Sequence, residues 1–232
     1  MVVAMTVGAS ERDGRSTRWD PHRRARRLAI ITAAIAAIEE FGPGASTAQI
    51  ADRAGVPRTH VYRHFDGKHA LDLAVCSHVA KQIGEQIRAG LARSGSARDI
   101  IGAAIDHHLG WIDAHPDLYR FLAEHSYAVR AGGRPDAQDA KAALALELTA
   151  LLRAYMAVFG VDTDPAERVI VGVVGLVDAT GTWWLDHRTP SRAELTAELT
   201  EQVWLIIERS GRALGLRLDP DATLPPLPAT PT

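Results

Sequence analysis

Residues 55–68 read GVPRTHVYRHFDGK. Gly, Val and Pro lead into a segment with two Arg, two His, a Thr and a Tyr. Pro57 suits the first turn of a helix, where no amide hydrogen is needed. A helix over 57–65 is too short to persist alone in water. It needs support from its neighbours and a reason to carry so many hydrogen-bonding groups. Val61 and Phe65 stand four apart and mark the supported face. His60 and His64 share the same spacing. A metal site there requires a third ligand, with Asp66 and His69 the nearest options, and no metal is expected.

Working outward, almost every segment reads as helix. Upstream, Leu28, Ile31, Ile35 and Ile38 recur at threes and fours, and 42–44 (GPG) stops the helix that Pro21 opens. Ser46 and Gln49 have capping-box spacing ahead of a short helix over 47–54. Downstream, helices are expected over 68–93, 98–115, 117–131, 136–159, 165–187 and 192–214. Ser96 with Asp99, and Ser191 with Glu194, mark two of their starts. The expected fold is all-α, with about nine helices, no β alternation and no internal repeat.

Two short helices joined by a tight turn and packed on a longer one form a helix-turn-helix, here 22–41, 47–54 and 57–65. The stretch 46–71, STAQIADRAGVPRTHVYRHFDGKHAL, resembles the TetR family of one-component transcriptional regulators. Thr47, Ile50-Ala51, Gly55-Val56, Tyr62, His64-Phe65 and Lys68 carry the resemblance. It covers about fifty residues, 22–71; beyond them only helix number and length are similar. Pro57 departs from the pattern, since many relatives place a capping Ser there.

Physical chemistry supports that resemblance. Early side chains of a recognition helix face base edges in the major groove. Arg58 can fork to guanine, and Thr59 and His60 are short enough to touch edges or methyls. Thr47, at a helix start, offers a hydroxyl beside free backbone amides, a natural phosphate seat. The resemblance implies phosphate contacts at Tyr62, His64 and Lys68. Charge agrees: residues 1–70 hold 11 Lys and Arg against 7 Asp and Glu, although the whole chain carries −2. A basic third on an acidic body suits a polyanion partner. The segment 12–27 reads either as an arm entering the minor groove or as a solvated tail.

The remainder suggests a sensor. His108 lies on the apolar face of 98–115 and His125 on that of 117–131. Each is either a hydrogen-bonded core residue or a cavity-lining group. Trp111, Phe121, Tyr127 and Met156 are core residues able to wall the same pocket. Asp178, alone in an apolar helix, needs a partner in the pocket, across a dimer or at a helix end. The helices over 165–187 and 192–214 carry more apolar surface than one chain covers. The resemblance implies that they form a four-helix homodimer interface, with Val203 and Ile207 in it.

The expected organisation is a flexible basic arm (1–20), a helix-turn-helix domain (21–67), a ligand-binding and dimerisation domain (68–215) and a Pro-rich disordered tail (216–232). The expected function is a ligand-responsive DNA-binding regulator, a repressor on a palindromic double-stranded operator, released by a small, mostly hydrophobic effector. The competing class is a helical small-molecule carrier or an enzyme without DNA binding. No triad, metal set or phosphate loop favours an enzyme or a cofactor. One cysteine, Cys76, excludes an internal disulfide and suits a reducing cytoplasm. The apolar run 169–185 contains Asp178 and is read as too short and polar to span a membrane. The N-terminus lacks the pattern of a signal peptide.

Overall fold

The structure, a computed structural model, describes residues 14–129, 138–158, 160 and 166–224; the side chains of 14–20, 126–129, 138–144, 155 and 158 lie outside the description. Nine helices follow one another among the described residues. They are α1 Gly14–Phe41, α2 Thr47–Arg53, α3 Arg58–His64, α4 Gly67–Leu91, α5 Ala97–Ala114, α6 Pro116–Val129, α7 Gln138–Val158, α8 Ala166–His187 and α9 Arg192–Ala213. Apart from the start of α1, the bounds fall within a few residues of the periodic segments, and capping boxes set the starts of α2, α5 and α9. Ser46, Ser96 and Ser191 each accept from the third-residue amide, and Gln49, Asp99 and Glu194 reach back to the cap amide.

The first three helices form a small head. Ile30, Ala34, Ala37 and Ile38 of α1 close over Ile50, Ala51, Val61 and Phe65. Leu28, expected on that stripe, is half exposed. Gly55 turns α2 into α3 with φ +63, a backbone state that glycine enters without Cβ strain. Pro57 is the cap residue itself, and α3 begins at Arg58 with no side-chain cap.

α4 leaves the head and continues into the body. Its buried stripe of Leu71, Val75, Val79, Ile83 and Ile87 belongs to the same apolar cluster as the head core, as do Leu109, Ile112, Leu118, Trp184, Leu199 and Val203. The expected domain boundary at 67/68 is therefore crossed by a shared core.

Three expectations are corrected. α1 begins at Gly14, so Pro21 lies inside it and does not open it, and 14–20 are helical rather than an arm; residues 1–13 lie outside the described ones. The tail is fixed as far as Leu224. The Leu224 amide donates to the Gly95 carbonyl at 3.0 Å, and Ser96 pairs with Thr223 as an isolated bridge. Arg98 reaches Asp221 at 3.4 Å, and Leu218 packs on Gly211. Leu216, Leu218 and Leu224 cover apolar surface that would otherwise be wet, which outweighs the proline content of the segment; 225–232 lie outside the description. Finally, Val203 is buried and Ile207 lines the interior, so neither lies on an outer face.

α8 is long and apolar enough to cross a membrane by length and composition alone. Ile170, Gly181, Trp184 and Leu185 pack inward, while Val171 and Trp183 remain exposed. That is the division of a helix with one face on a core.

α4 and α5 approach so closely that a Cβ on Gly90 would stand 2.6 Å from Ala104 Cα and 2.7 Å from its amide nitrogen. Helix propensity alone makes Gly→Ala stabilising by about 1 kcal/mol. Against backbone atoms the sign reverses: Gly90→Ala is expected to destabilise by about 1–3 kcal/mol. Thermal unfolding by circular dichroism checks this; an unchanged or raised Tm contradicts the packing described.

Candidate nucleic-acid interface and ligand cavity

α3 has seven residues and is held from outside. Val61 and Phe65 are buried beneath it. Arg27 of α1 donates to the His64 carbonyl at 2.7 Å and lies 4.1 Å over the Phe65 ring, satisfying the end of α3 with a cation. Arg58, Thr59, Tyr62 and Arg63 stay exposed, with His60 and His64 partly so. The face carries a hydrogen-bond chain between helices. Arg58 Nη2 donates to the Tyr62 hydroxyl at 3.2 Å, and that hydroxyl donates to Thr47 Oγ1 at 3.5 Å. The Thr47 and Arg58 contacts draw the Tyr62 hydroxyl below its ordinary range.

His64 is held below the usual imidazole range, first by burial and then by His60, Arg23, Arg63 and Arg26. Its ring is 5.4 Å from that of His60, and its shielded Nδ1 has no hydrogen-bond partner among the described residues. Four Arg and His groups from α1 and α3 thus act on one small area. The α1 pair Arg23 and Arg26 belongs to the RRARR run at 23–27, and Arg63 joins them from α3. Lys68, at the start of α4, holds Asp72 at 2.5 Å. Among the described residues no three metal-ligating side chains converge.

The body encloses a cavity of about 580 Å³. Residues of α4 to α9 and of the 216–224 segment wall it. Along α5 it runs from Ala97 to His108, roughly 16 Å of helix at 1.5 Å per residue. Its walls are overwhelmingly aliphatic, among them Ile83, Ile101, Leu152, Val173 and Ile207. One end is polar. Tyr119 donates to Asp178 Oδ1 at 2.7 Å, and the His108 ring stands edge-on to Tyr119 at 5.9 Å. Burial, then the Asp178 carboxylate, pushes the Tyr119 hydroxyl far up, so it stays a neutral donor. The other end is lined by Leu216, Leu218 and Leu224, together with Arg217 and Asp219.

Of the expected pocket residues, His108, Met156 and Asp178 line this cavity, which places Asp178 on the pocket side of its three options. Trp111, Phe121 and His125 do not. Trp111 packs on His115 and Tyr119. Phe121 is fully buried with its ring against His125, and His125 faces Asp72 of α4. Residues 121 and 125 are one turn apart on a single side of α6, while 119 and 122 lie on another. Sequence reading joined the two sides because both are apolar. Tyr127 is on α6, but its side chain lies outside the described ones. Tyr119, the residue that meets Asp178, carries no distinguishing signal in the sequence, where a tyrosine beside apolar residues reads as ordinary core.

Residues 30–75 match the family described as bacterial regulatory proteins, tetR family, and residues 86–215 match the tetracyclin repressor-like C-terminal domain. An uncharacterised HTH-type transcriptional regulator of Mycobacterium tuberculosis is 30% identical over 227 residues, 94% of this chain and 93% of its own. The transcriptional activator FasR of Mycolicibacterium smegmatis is 25% identical, over 84% of this chain and 92% of its own. Among solved structures, the regulator FadR of Bacillus subtilis in complex with stearoyl-CoA superposes with a TM-score of 0.59 at 19% identity, covering 76% of this chain and 96% of that one. A tetR-family regulator from Streptomyces coelicolor superposes with a TM-score of 0.63 at 20% identity, covering 82% and 83%. With a DNA-reading head on a hollow helical body, and with these matches over both halves, the chain belongs to the TetR family of ligand-responsive, DNA-binding transcriptional regulators.

Proposed function

We propose that the chain is a cytoplasmic, non-enzymatic repressor that binds a palindromic operator as a homodimer and is released by an elongated, mostly apolar effector. The division of labour gives α1 to α3 to the head and α4 to α9 with residues 216–224 to the body, joined across 67/68 by a shared core. The observation that carries the DNA assignment is the Thr47–Tyr62–Arg58 chain on an exposed, cationic face. Arg58, Thr59 and His60 read bases; Thr47, Tyr62, His64 and Lys68 hold phosphates, joined by Arg23, Arg26 and Arg63. In the unbound head Arg58 leans on Tyr62, so its fork is pre-positioned before it meets a base.

The cavity supports the effector assignment. An apolar tunnel with one hydrogen-bonding end suits a chain-like molecule, with His108, Tyr119 and Asp178 orienting its polar group and Met156 in the wall. The stearoyl-CoA found in the Bacillus subtilis relative makes a long-chain acyl compound the first class to test. The activator name of FasR supports a second reading, effector-dependent activation; a promoter reporter with and without effector separates the two. For the dimer, Val171 and Trp183 of α8 and Leu205 of α9 are exposed apolar side chains, and Gly172 and Gly175 of α8 face open space where a helix could approach closely.

Four outcomes follow. In fluorescence-anisotropy titrations, Arg58→Ala costs roughly 1–3 kcal/mol on the operator and far less on random DNA. Lys68→Ala weakens both alike and makes the salt slope shallower by about one unit. Equal losses on both DNAs for Arg58→Ala reassign it to the backbone. With acyl compounds of increasing length, affinity rises roughly fourfold per methylene until the cavity is filled; a flat ladder rules out this ligand class. Leu205→Glu yields monomer by light scattering and loses operator binding, and a wild-type monomer at micromolar concentration refutes the dimer.

A further inference from the structure

Asp72 is the one buried carboxylate among the described residues. A buried charge needs close partners, since its desolvation costs several kcal/mol. Asp72 has two, from different helices. Lys68 Nζ sits 2.5 Å from Oδ1, and His125 Nε2 of α6 faces Oδ2 at 3.6 Å. Across the same ring, His125 Nδ1 is 2.8 Å from the Phe121 carbonyl. A carbonyl only accepts, so Nδ1 carries a proton. The Asp72 carboxylate, 3.6 Å away and too far for a hydrogen bond, attracts a charge on the ring and so favours a proton on Nε2 as well. A neutral imidazole serves one of these contacts and an imidazolium serves both.

The place of this group in the fold gives it a use. Lys68 opens α4 where the head ends, and its ammonium also lies 5.8 Å from the Phe121 ring. Phe121 and His125 therefore flank the Lys68–Asp72 pair from one side of α6. Tyr119 and Leu122, on the other side, enter the cavity. A single turn of helix separates the effector from the anchor of a DNA-facing lysine.

We propose that Asp72 and His125 are positioning residues for operator binding: they share one carboxylate with Lys68, and α6 sets how much of the Lys68 charge is left for the DNA backbone. The inference rests on Lys68 being a phosphate contact. With a charged His125 in place, the Asp72 charge is divided between two cations, and the ammonium keeps donors and net charge for a phosphate. With the ring neutral or displaced, Lys68 alone neutralises Asp72, and an approaching phosphate meets a lysine already paired. An effector that shifts α6 has the same effect as removing the proton.

The electrostatics agree. The Asp72 carboxylate raises the His125 imidazole above its ordinary value against the opposing effect of burial, and the Phe121 carbonyl adds to the rise. Burial pushes Asp72 up, but the His125 and Lys68 contacts outweigh it and hold it low. The charged groups acting on His125 are Asp72 and Lys68, both on α4; Glu124 beside it on α6 is exposed. Cys76, one turn along α4, stays a neutral thiol, pushed up to about 12 by burial. A raised His125 carries its charge below its folded value and loses it above. Operator affinity is therefore full at low pH and falls as pH rises through that value.

The test uses the full-length protein and an operator duplex selected from a random DNA pool by the wild type. Anisotropy gives Kd from about pH 6 to about pH 8.5, the range where histidine titrates. The variants are H125Q, D72N, K68A and H125Q/K68A, each checked for wild-type melting. Wild-type Kd is expected to rise about three- to tenfold across the range. H125Q should sit near the weak end throughout, keeping only the pH dependence that does not pass through His125, and should have no effect in the K68A background. D72N should lose the same component and bind random DNA more tightly, because Lys68 loses its internal partner. A loss for H125Q that is equal with and without K68A overturns the coupling, as does a wild-type pH profile in D72N. D72N also decides the matter if H125Q does not fold. K68A with unchanged affinity and salt slope overturns the phosphate reading of Lys68, and the inference with it; a weakened but uncoupled K68A overturns the inference alone.

Discussion

The buried stripe of α4 is the constraint on which the rest of the structure depends. Leu71, Val75 and Val79 are fully buried, and Ile83 and Ile87 nearly so. The first of these belong to the head and the last to the cavity wall. Packed interiors resist continuous deformation and move between discrete arrangements. A helix pinned at Gly90 against the α5 backbone and at Leu71 against the head cannot absorb a change at one end alone. Head position and cavity state are therefore properties of one packed object.

α6 makes the second connection. Leu118, Phe121 and Leu122 share the cluster with α1, and His115 at its entrance holds Glu39 of α1 at 2.6 Å. The head thus rests on the body through α4 and α6 together. A ligand changes this arrangement only to the extent that it binds one packing better than another. The cavity offers such a difference because its wall includes both connecting helices, through Ile83 and Ile87 on one and Tyr119 and Leu122 on the other. The apolar wall supplies affinity in proportion to area buried, and the Tyr119–Asp178 pair supplies orientation.

Much of this was legible in the chain itself. Helix periodicity, three capping boxes and the Gly55 turn are local signals, and each appears where its residues stand. Val61 and Phe65 belong to the head core as their spacing required. The DNA-facing candidates collect on one face because α3 is short and only one side of it is buried. Less legible was Arg27, which caps α3 across 37 residues of chain; no local pattern announces a cation that serves another helix.

What the sequence by itself determined is the set of helices, their ends and the head, because hydrogen bonds within a few residues and a 3.6-residue period decide them. What only the tertiary structure decided is which apolar face meets which neighbour. His108 and His125 look alike in sequence, each on a greasy stripe. One faces a cavity with Tyr119, and the other locks onto a buried carboxylate of α4. Val203 belongs to the interior and Leu205, two residues on, to the outside. Residues 216–224 are ordered despite their composition, because a hollow body leaves apolar surface for Leu216, Leu218 and Leu224 to cover. Burial depends on how helices cross and what they leave open, and that information is spread over the whole chain.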